Sequence, residues 1–289
     1  MTDAAPVVGS VKGPGGRLRT LAWPVERPRG RVVVAHGLGE HAGRYLRLAV
    51  ALTARGWAVL AYDQRGHGAS EGVRGHVASF GDFVGDLEVV RTEASRLLPG
   101  EGPSFLYGHS MGGLVALRLV QTVRPDVPGV VLSAPWLATA IPVPGWKRLA
   151  AAVLGRVAPA LAVPTGMDAS LLTRDRALQA EYEADPLVGH RISAGLWDAV
   201  RDAQRRALED DVPMPPTLLL VPEEDRVADP RTTLRWAEGA RGPVEVERLP
   251  GFRHEPQNEV GREGAFRTVA DWLDRTAAGA GGARAARAE

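Results

Sequence analysis

The 289-residue chain contains no cysteine. Disulfide staples, thiolate nucleophiles and cysteine-bearing metal sites are therefore excluded, while the compartment is left open. Lysine occurs only at Lys12 and Lys147, so the basic residues are nearly all arginine. That bias reads as coding preference, not as a phosphate-binding device. The formal net charge is +1, which offers no basis for binding nucleic acid. No run approaches the roughly 18 apolar residues needed to span a bilayer. The stretch MTDAAPVVGS has no basic segment followed by an apolar core, so no secretory signal is expected there. The expected location is the cytoplasm. What remains, 45% hydrophobic and 24% charged residues, is the composition of a soluble globular protein. The length suits one large α/β domain or one domain with an insertion.

Short apolar runs alternate with helical patterns, which predicts a mostly parallel sheet with helices on both faces. The start differs: Val7–Lys12 and Arg17–Trp23 flank Gly13-Pro14-Gly15-Gly16, a β-hairpin signature. Val32–Ala35 is continuously apolar, as a strand buried on both faces should be. Further strands are expected at Trp57–Tyr62, Ser104–Tyr107, Val130–Ser133, Thr217–Val221 and Val244–Leu249. Helices are expected at Arg44–Arg55, Phe80–Leu98, Ser110–Val123, near Pro230–Glu238 and at Glu263–Arg275.

From about Trp136 to Ala207 the rhythm breaks and no convincing strand appears. Trp146, Leu149, Ala150, Val153, Leu154 and Val157 fall on one helical face. The segment reads as a helical cap, or lid, over the sheet. The division is residues 1–135 and 208–276 for the core, 136–207 for the cap, and 277–289 for a low-complexity, disordered tail.

The run Gly108-His109-Ser110-Met111-Gly112 follows a strand and opens a helix. That context, more than the G-x-S-x-G pattern itself, marks a nucleophile elbow. A strained turn would lift the Ser110 hydroxyl above the sheet, with glycines two residues to either side removing the Cβ atoms that would collide. The alternative, a chance Gly-Ser-Gly turn, leaves the strand-to-helix context unexplained. A serine hydroxyl needs a base. Of seven histidines, His254 lies just after a late strand and before the last helix, where a loop can reach a central strand's tip. His36 and His109 are expected to make structural hydrogen bonds, and His67 to be a buried, satisfied imidazole.

The orienting acid should lie between nucleophile and base in the chain, after a strand. Glu223, Glu224, Asp225 and Asp229 all qualify, and each could equally be a solvated loop charge. One oxyanion donor should be the N–H of Met111, beside Ser110. The second should come from the loop His36-Gly37-Leu38-Gly39-Glu40, through the N–H of Leu38.

Five stretches together resemble the monoacylglycerol lipase and lysophospholipase group of α/β-hydrolases. They are HGLGEHAGRY (His36–Tyr45), YDQRGHGASEG (Tyr62–Gly72), YGHSMGG (Tyr107–Gly113), LTRD with YEADPLV (Leu172–Asp175 and Tyr182–Val188), and EEDRVADP with GFRHEPQNE (Glu223–Pro230 and Gly251–Glu259). The resemblance spans roughly residues 20–275. It implies the α/β-hydrolase fold with a helical cap, and a triad of Ser110, Asp225 and His254. Pro222 stands where the group usually has glycine, which keeps Asp229 as the runner-up acid. The implied reaction is hydrolysis of a fatty acyl ester, foremost monoacylglycerol, without metal or cofactor.

Gly37, Glu40, Leu149 and Val153 are the expected substrate-binding residues. The expected partner is a small lipid ester, with transient membrane-surface contact through the cap. Within the same chemistry the rivals are a lysophospholipase, a general carboxylesterase and an acyltransferase. A non-catalytic binding protein on this scaffold should have lost the nucleophile or base. A dehalogenase or epoxide hydrolase would need Asp where Ser110 stands.

Overall fold

The computed structural model describes residues 5–140, Gly145 and 154–285. Eight strands form one sheet: β1 (Val7–Gly13), β2 (Gly16–Trp23), β3 (Gly30–Ala35), β4 (Trp57–Tyr62), β5 (Ser104–His109), β6 (Val130–Ser133), β9 (Thr217–Pro222) and β10 (Val244–Leu249). Two more, β7 (Ala162–Pro164) and β8 (Arg191–Ser193), pair separately. The order in the large sheet is β1-β2-β4-β3-β5-β6-β9-β10. The expected hairpin β1–β2 sits at one edge, antiparallel, and every strand from β4 across to β10 runs parallel.

Burial on both faces explains why the central strands β3, β4, β6 and β9 read as nearly continuous apolar runs, and the side-chain period of two divides them between two clusters. Val33, Ala35, Leu60, Tyr62, Leu106, Leu132 and Leu219 point into one buried cluster. Their neighbours Val32, Val34, Val59, Ala61, Phe105, Val131 and Leu218 point into another on the opposite face. Each fully buried aliphatic side chain contributes about 1.5–3 kcal/mol against exposure. A slip by one residue would exchange the two faces, so the register of the parallel strands is strongly specified.

The first cluster is covered by α2 (Gly81–Leu97) and α3 (Met111–Thr122). The second is covered by α1 (Leu46–Thr53) and the last helix of the chain. Because β3, β5, β9 and β10 are parallel, the loops leaving them open at one end of the sheet. That end holds every residue expected to carry chemistry.

Between β6 and β9 the segment 136–207 differs from its sequence reading. Besides α4 (Ala169–Leu172) and α5 (Arg176–Ala184) it holds a two-stranded antiparallel ribbon, with Val163 opposite Ile192. Three-residue strands whose partners are remote in sequence leave no local period to detect. Its final helix, α6 (Ala194–Glu209), crosses the expected boundary at Ala207. Leu196, Val200, Ala203 and Ala207 lie along one stripe of α6 and join the first core cluster. That helix therefore packs on the core and not above it. Of the apolar stripe expected in the cap, Trp146, Leu149, Ala150 and Val153 lie outside the described residues. Val157 is exposed.

After α7 (Pro230–Gly239) the chain ends in α8 (Arg262–Ala285). This helix runs past Thr276, so 277–285 is helical where a disordered tail was expected. Adding a residue to a helix already docked through Phe266, Val269, Trp272 and Leu273 needs only propagation, and the alanines of the tail favour it.

Candidate active site

At the end of β5 the chain turns through Ser110, whose φ of 51° and ψ of −117° lie outside the regions a serine prefers. The strain is held in place from several sides. Ser110 N–H donates to Ser133 O at 3.0 Å, and its carbonyl accepts from Trp136 N–H at 3.0 Å. A Cβ at Gly108 would collide with the carbonyl oxygen of Gly112, and one at Gly112 with that of Ala35. The two glycines thus relieve backbone contacts inside the turn and against β3.

The Ser110 hydroxyl lies 2.8 Å from His254 Nε2, and His254 Nδ1 lies 2.7 Å from Asp225 Oδ2. All three side chains are buried. With Nδ1–H donating to the carboxylate, Nε2 is left as the acceptor for the hydroxyl proton. The second carboxylate oxygen of Asp225 accepts from Val227 N–H at 2.7 Å and Ala228 N–H at 3.0 Å. The rivals are otherwise engaged. Asp229 caps α7, accepting from Arg231 N–H and Thr232 Oγ1, Glu223 pairs with Arg248, and Glu224 is exposed. Pro222 ends β9 without diverting the loop from His254.

The pKa directions follow from these surroundings. Burial opposes the imidazolium of His254. The charge and hydrogen bond of Asp225, with Glu255 and Glu40 beyond it, nonetheless hold His254 above its ordinary value. Burial and the neighbouring His254, whose ring centroid is 4.9 Å away, push His109 down to about 3. His109 Nδ1 lies 3.1 Å from Ser133 O. His36, pushed by burial to about 4, accepts Gln64 N–H at Nε2 and therefore donates from Nδ1 to Gly37 O. His67 is buried as expected but only half satisfied: Nδ1 faces Arg65 O, and Nε2 has no partner among the described residues.

The loop after β3 approaches Ser110 closely. A Cβ on Gly37 would come within 3.2 Å of Ser110 Cβ. Among the described residues, no acceptor takes the N–H of Leu38 or Met111. Leu38 borders the cleft over Ser110, which Gly37, Glu40, Trp136, Met167, Leu172, Tyr182, Val227 and Glu255 help line, and Met111 follows Ser110 directly in the chain. Volume does not choose the site. That cleft measures about 40 Å³, while a groove of about 410 Å³ beside Met214, Arg235 and Trp236 holds no base–nucleophile pair. Leu149 and Val153 lie outside the described residues. No cluster that could hold a metal ion occurs among the described residues.

Trp136 and Met167 were not picked out as wall residues by sequence reasoning, and Leu172, Tyr182 and Val227 appeared only inside quoted motifs, because the wall is built from four separate stretches. Arg44 and Glu255 were visible only as members of quoted motifs. The i, i+4 spacing of Glu40 and Arg44, which forms an ion pair, is the signal that could have drawn attention to them.

Residues 26–261 match the family model described as serine aminopeptidase, S33. The chain belongs to this family. An uncharacterized abhydrolase domain-containing protein of Dictyostelium discoideum is 32% identical over 89% of this chain, which spans only 27% of that longer protein. The monoacylglycerol lipase of Mycolicibacterium smegmatis is 34% identical, over 91% of this chain and 95% of its own length. The crystal structure of the Paleococcus ferrophilus monoacylglycerol lipase superposes with a TM-score of 0.81 at 34% identity, covering 90% of this chain and 99% of the other. Family and superposition together make the architecture that of an α/β-hydrolase. No helix among the described residues is long and apolar enough to cross a membrane.

Proposed function

We propose that this chain hydrolyses carboxylic esters of fatty acyl chains, with monoacylglycerol as its principal substrate. The reading rests on one observation above the others: the continuous line from Ser110 Oγ through the His254 ring to Asp225, at 2.8 and 2.7 Å. Ser110 attacks the ester carbonyl as His254 Nε2 takes the hydroxyl proton. The negative charge on the carbonyl oxygen is held by the N–H groups of Leu38 and Met111. Collapse of that intermediate breaks the acyl–oxygen bond, and His254 returns the proton to the departing alcohol. Water then repeats the sequence on the acyl-enzyme, releasing the acid and restoring Ser110. Asp225 keeps the proton on Nδ1 and stabilises the imidazolium.

The substrate class is supported by two 34%-identical proteins that carry the name monoacylglycerol lipase and by apolar walls at Leu38, Met167, Leu172 and Val227. Burial of each methylene contributes about 0.8 kcal/mol, so such walls reward an acyl chain. Gly37 and Glu40 border the reacting end, and Leu149 and Val153 belong to the acyl side of the same reading. The enzyme would work in the cytoplasm and meet lipid at a membrane surface through residues 136–207, where Val157, Leu161 and Val163 are exposed.

A rate panel tests the proposal: monoacylglycerols of graded chain length, lysophospholipids and short nitrophenyl esters. The expected outcome is the highest kcat/KM on a monoacylglycerol. Faster turnover of a lysophospholipid would make the protein a lysophospholipase, and turnover of short esters alone would make it a general carboxylesterase.

A further inference from the structure

Arg44 lies outside the triad, yet its side chain is only 8% exposed and touches three parts of the site. Its Nε lies 3.3 Å from Glu40 Oε1, in the loop after β3. A terminal nitrogen donates to Glu255 Oε2 at 2.7 Å, in the loop that carries His254. The ring of Tyr182, from the segment 136–207, covers the guanidinium with its centroid 4.8 Å away. Arg44 belongs to a short 3-10 turn, Ala42–Tyr45, which leaves the loop of Glu40 directly.

Each carboxylate passes the constraint onward. Glu40 Oε2 accepts from Gly37 N–H at 2.7 Å and from Tyr45 Oη at 2.7 Å. Gly37 immediately precedes Leu38, the donor assigned to the oxyanion. Glu255 directly follows His254. Its Oε2 also accepts from Asn258 Nδ2 at 2.8 Å, and its backbone N–H donates to Leu172 O at 2.9 Å. Glu40 and Glu255 are both buried beside one cation. Arg44 and the hydrogen bonds around Glu40 hold its carboxyl below the usual range against the cost of burial. Burial and the adjoining Glu40 push Glu255 above its usual range. One guanidinium therefore lies between two buried acids, which face His254 together with Asp225 and His109.

We propose that Arg44 is a positioning residue: through Glu40 and Glu255 it holds the oxyanion donor and the general base in one mutual geometry. The assignment rests on the hydrolase reading above. It differs from a substrate contact, because the guanidinium is spent on the two carboxylates and the Tyr182 ring. Planar Arg can engage two acids at once, whereas Lys offers a single charge.

The test uses the full chain with Arg44→Gln and with Arg44→Gln/Glu255→Gln, assayed on a two-carbon nitrophenyl ester and a monoacylglycerol. Removing the cation alone strands buried carboxylates and should lower Tm sharply. Neutralising Glu255 as well should recover most of that loss. If Arg44 positions the site, the double variant keeps kcat lowered by about 10²–10³-fold, the scale of one lost oxyanion donor. KM should stay within about threefold of wild type on both substrates. A double variant with recovered Tm and wild-type kcat would reduce Arg44 to a structural counter-ion and overturn the inference. A rise in KM confined to the glycerol ester, with kcat kept, would overturn it too, by making Arg44 a substrate contact. Wild-type protein inactive on every ester would instead defeat the hydrolase reading, and this inference with it.

Discussion

The loops that leave β3, β5, β9 and β10 and the segment 136–207 meet around one cleft, but they are held there differently. The loops of β3, β5 and β9 grow from parallel strands buried on both faces, while the loop of His254 leaves the edge strand β10, whose side chains are mostly exposed. Ser110 is then pinned by Ser133 and Trp136, and Asp225 by two backbone N–H groups. Much of the segment is fastened to these loops by polar links instead: Arg174 to Glu259, Arg262 to Asp175, His41 to Asp185, and Gly189 N–H to Gly39 O. Of these, Arg262–Asp175 joins two partly exposed side chains and is a pair of the kind that contributes about 0–1 kcal/mol. Its own small cluster of Ala169, Leu172, Tyr182, Val188 and Val227 includes a residue from the loop of Asp225. Ser110 and Asp225 are thus mounted on strands buried on both faces, and the walls that receive substrate on a segment tied to them largely by polar links.

That contrast predicts large losses of kcat from the loops and changes in KM from the segment. The largest effect is expected for Ser110→Ala, which should lower turnover on the order of 10⁶-fold and abolish labelling by a fluorophosphonate. Labelling that persists would move the nucleophile elsewhere. Next, Asp225→Asn should cost about 10⁴ in kcat. Asp229→Asn should leave kcat nearly intact and the stability in a denaturant titration close to wild type, because Asn caps a helix about as well as Asp. The reverse ranking would reassign the acid.

A smaller effect is expected from the segment itself. Met167→Asn places an amide in the apolar wall and should raise KM for a long-chain monoacylglycerol by about 10–200-fold, or 1–3 kcal/mol. A two-carbon nitrophenyl ester should barely respond. Equal losses on both substrates would show that the wall supports the loops and that the contrast is false.

The subtlest expectation concerns pH. His254 must be neutral to accept the proton of Ser110, and its pKa is raised. The acidic limb of kcat/KM should therefore lie above pH 6.5, the ordinary imidazole value, with about a tenfold loss per pH unit below it. Met167→Asn should leave that limb in place, since Met167 is not among the charges that set it. A limb that moves with Met167 would mean that the segment controls the base.

Sequence reasoning reached the elbow, the base and the alternating strands because each rests on a short-range rule. Gly108 and Gly112 flank Ser110 at fixed offsets, and the strands announce themselves as apolar runs bounded by glycine and proline. It reached Asp225 only through resemblance. Four carboxylates in one loop are chemically equivalent until folding gives one of them His254 and makes another a helix cap. It missed the ribbon β7–β8, whose strands are too short to show a period, and the continuation of α8 past Thr276, where docking overrode low complexity. It also assigned α6 partly to the cap, although the stripe of Leu196, Val200, Ala203 and Ala207 serves the core.

What the linear order of residues determined by itself is the parallel sheet, the strained turn at Ser110 and the placing of His254 after a late strand. Local sterics and the two-residue period act within a few positions of the chain. Only the tertiary structure decided which acid faces His254, which side chains wall the cleft, and that Arg44 lies between Glu40 and Glu255. The physical reason is distance along the chain. Arg44 and Glu255 are separated by most of the protein, and a 2.7 Å contact between them exists only once the sheet has brought their loops to the same end.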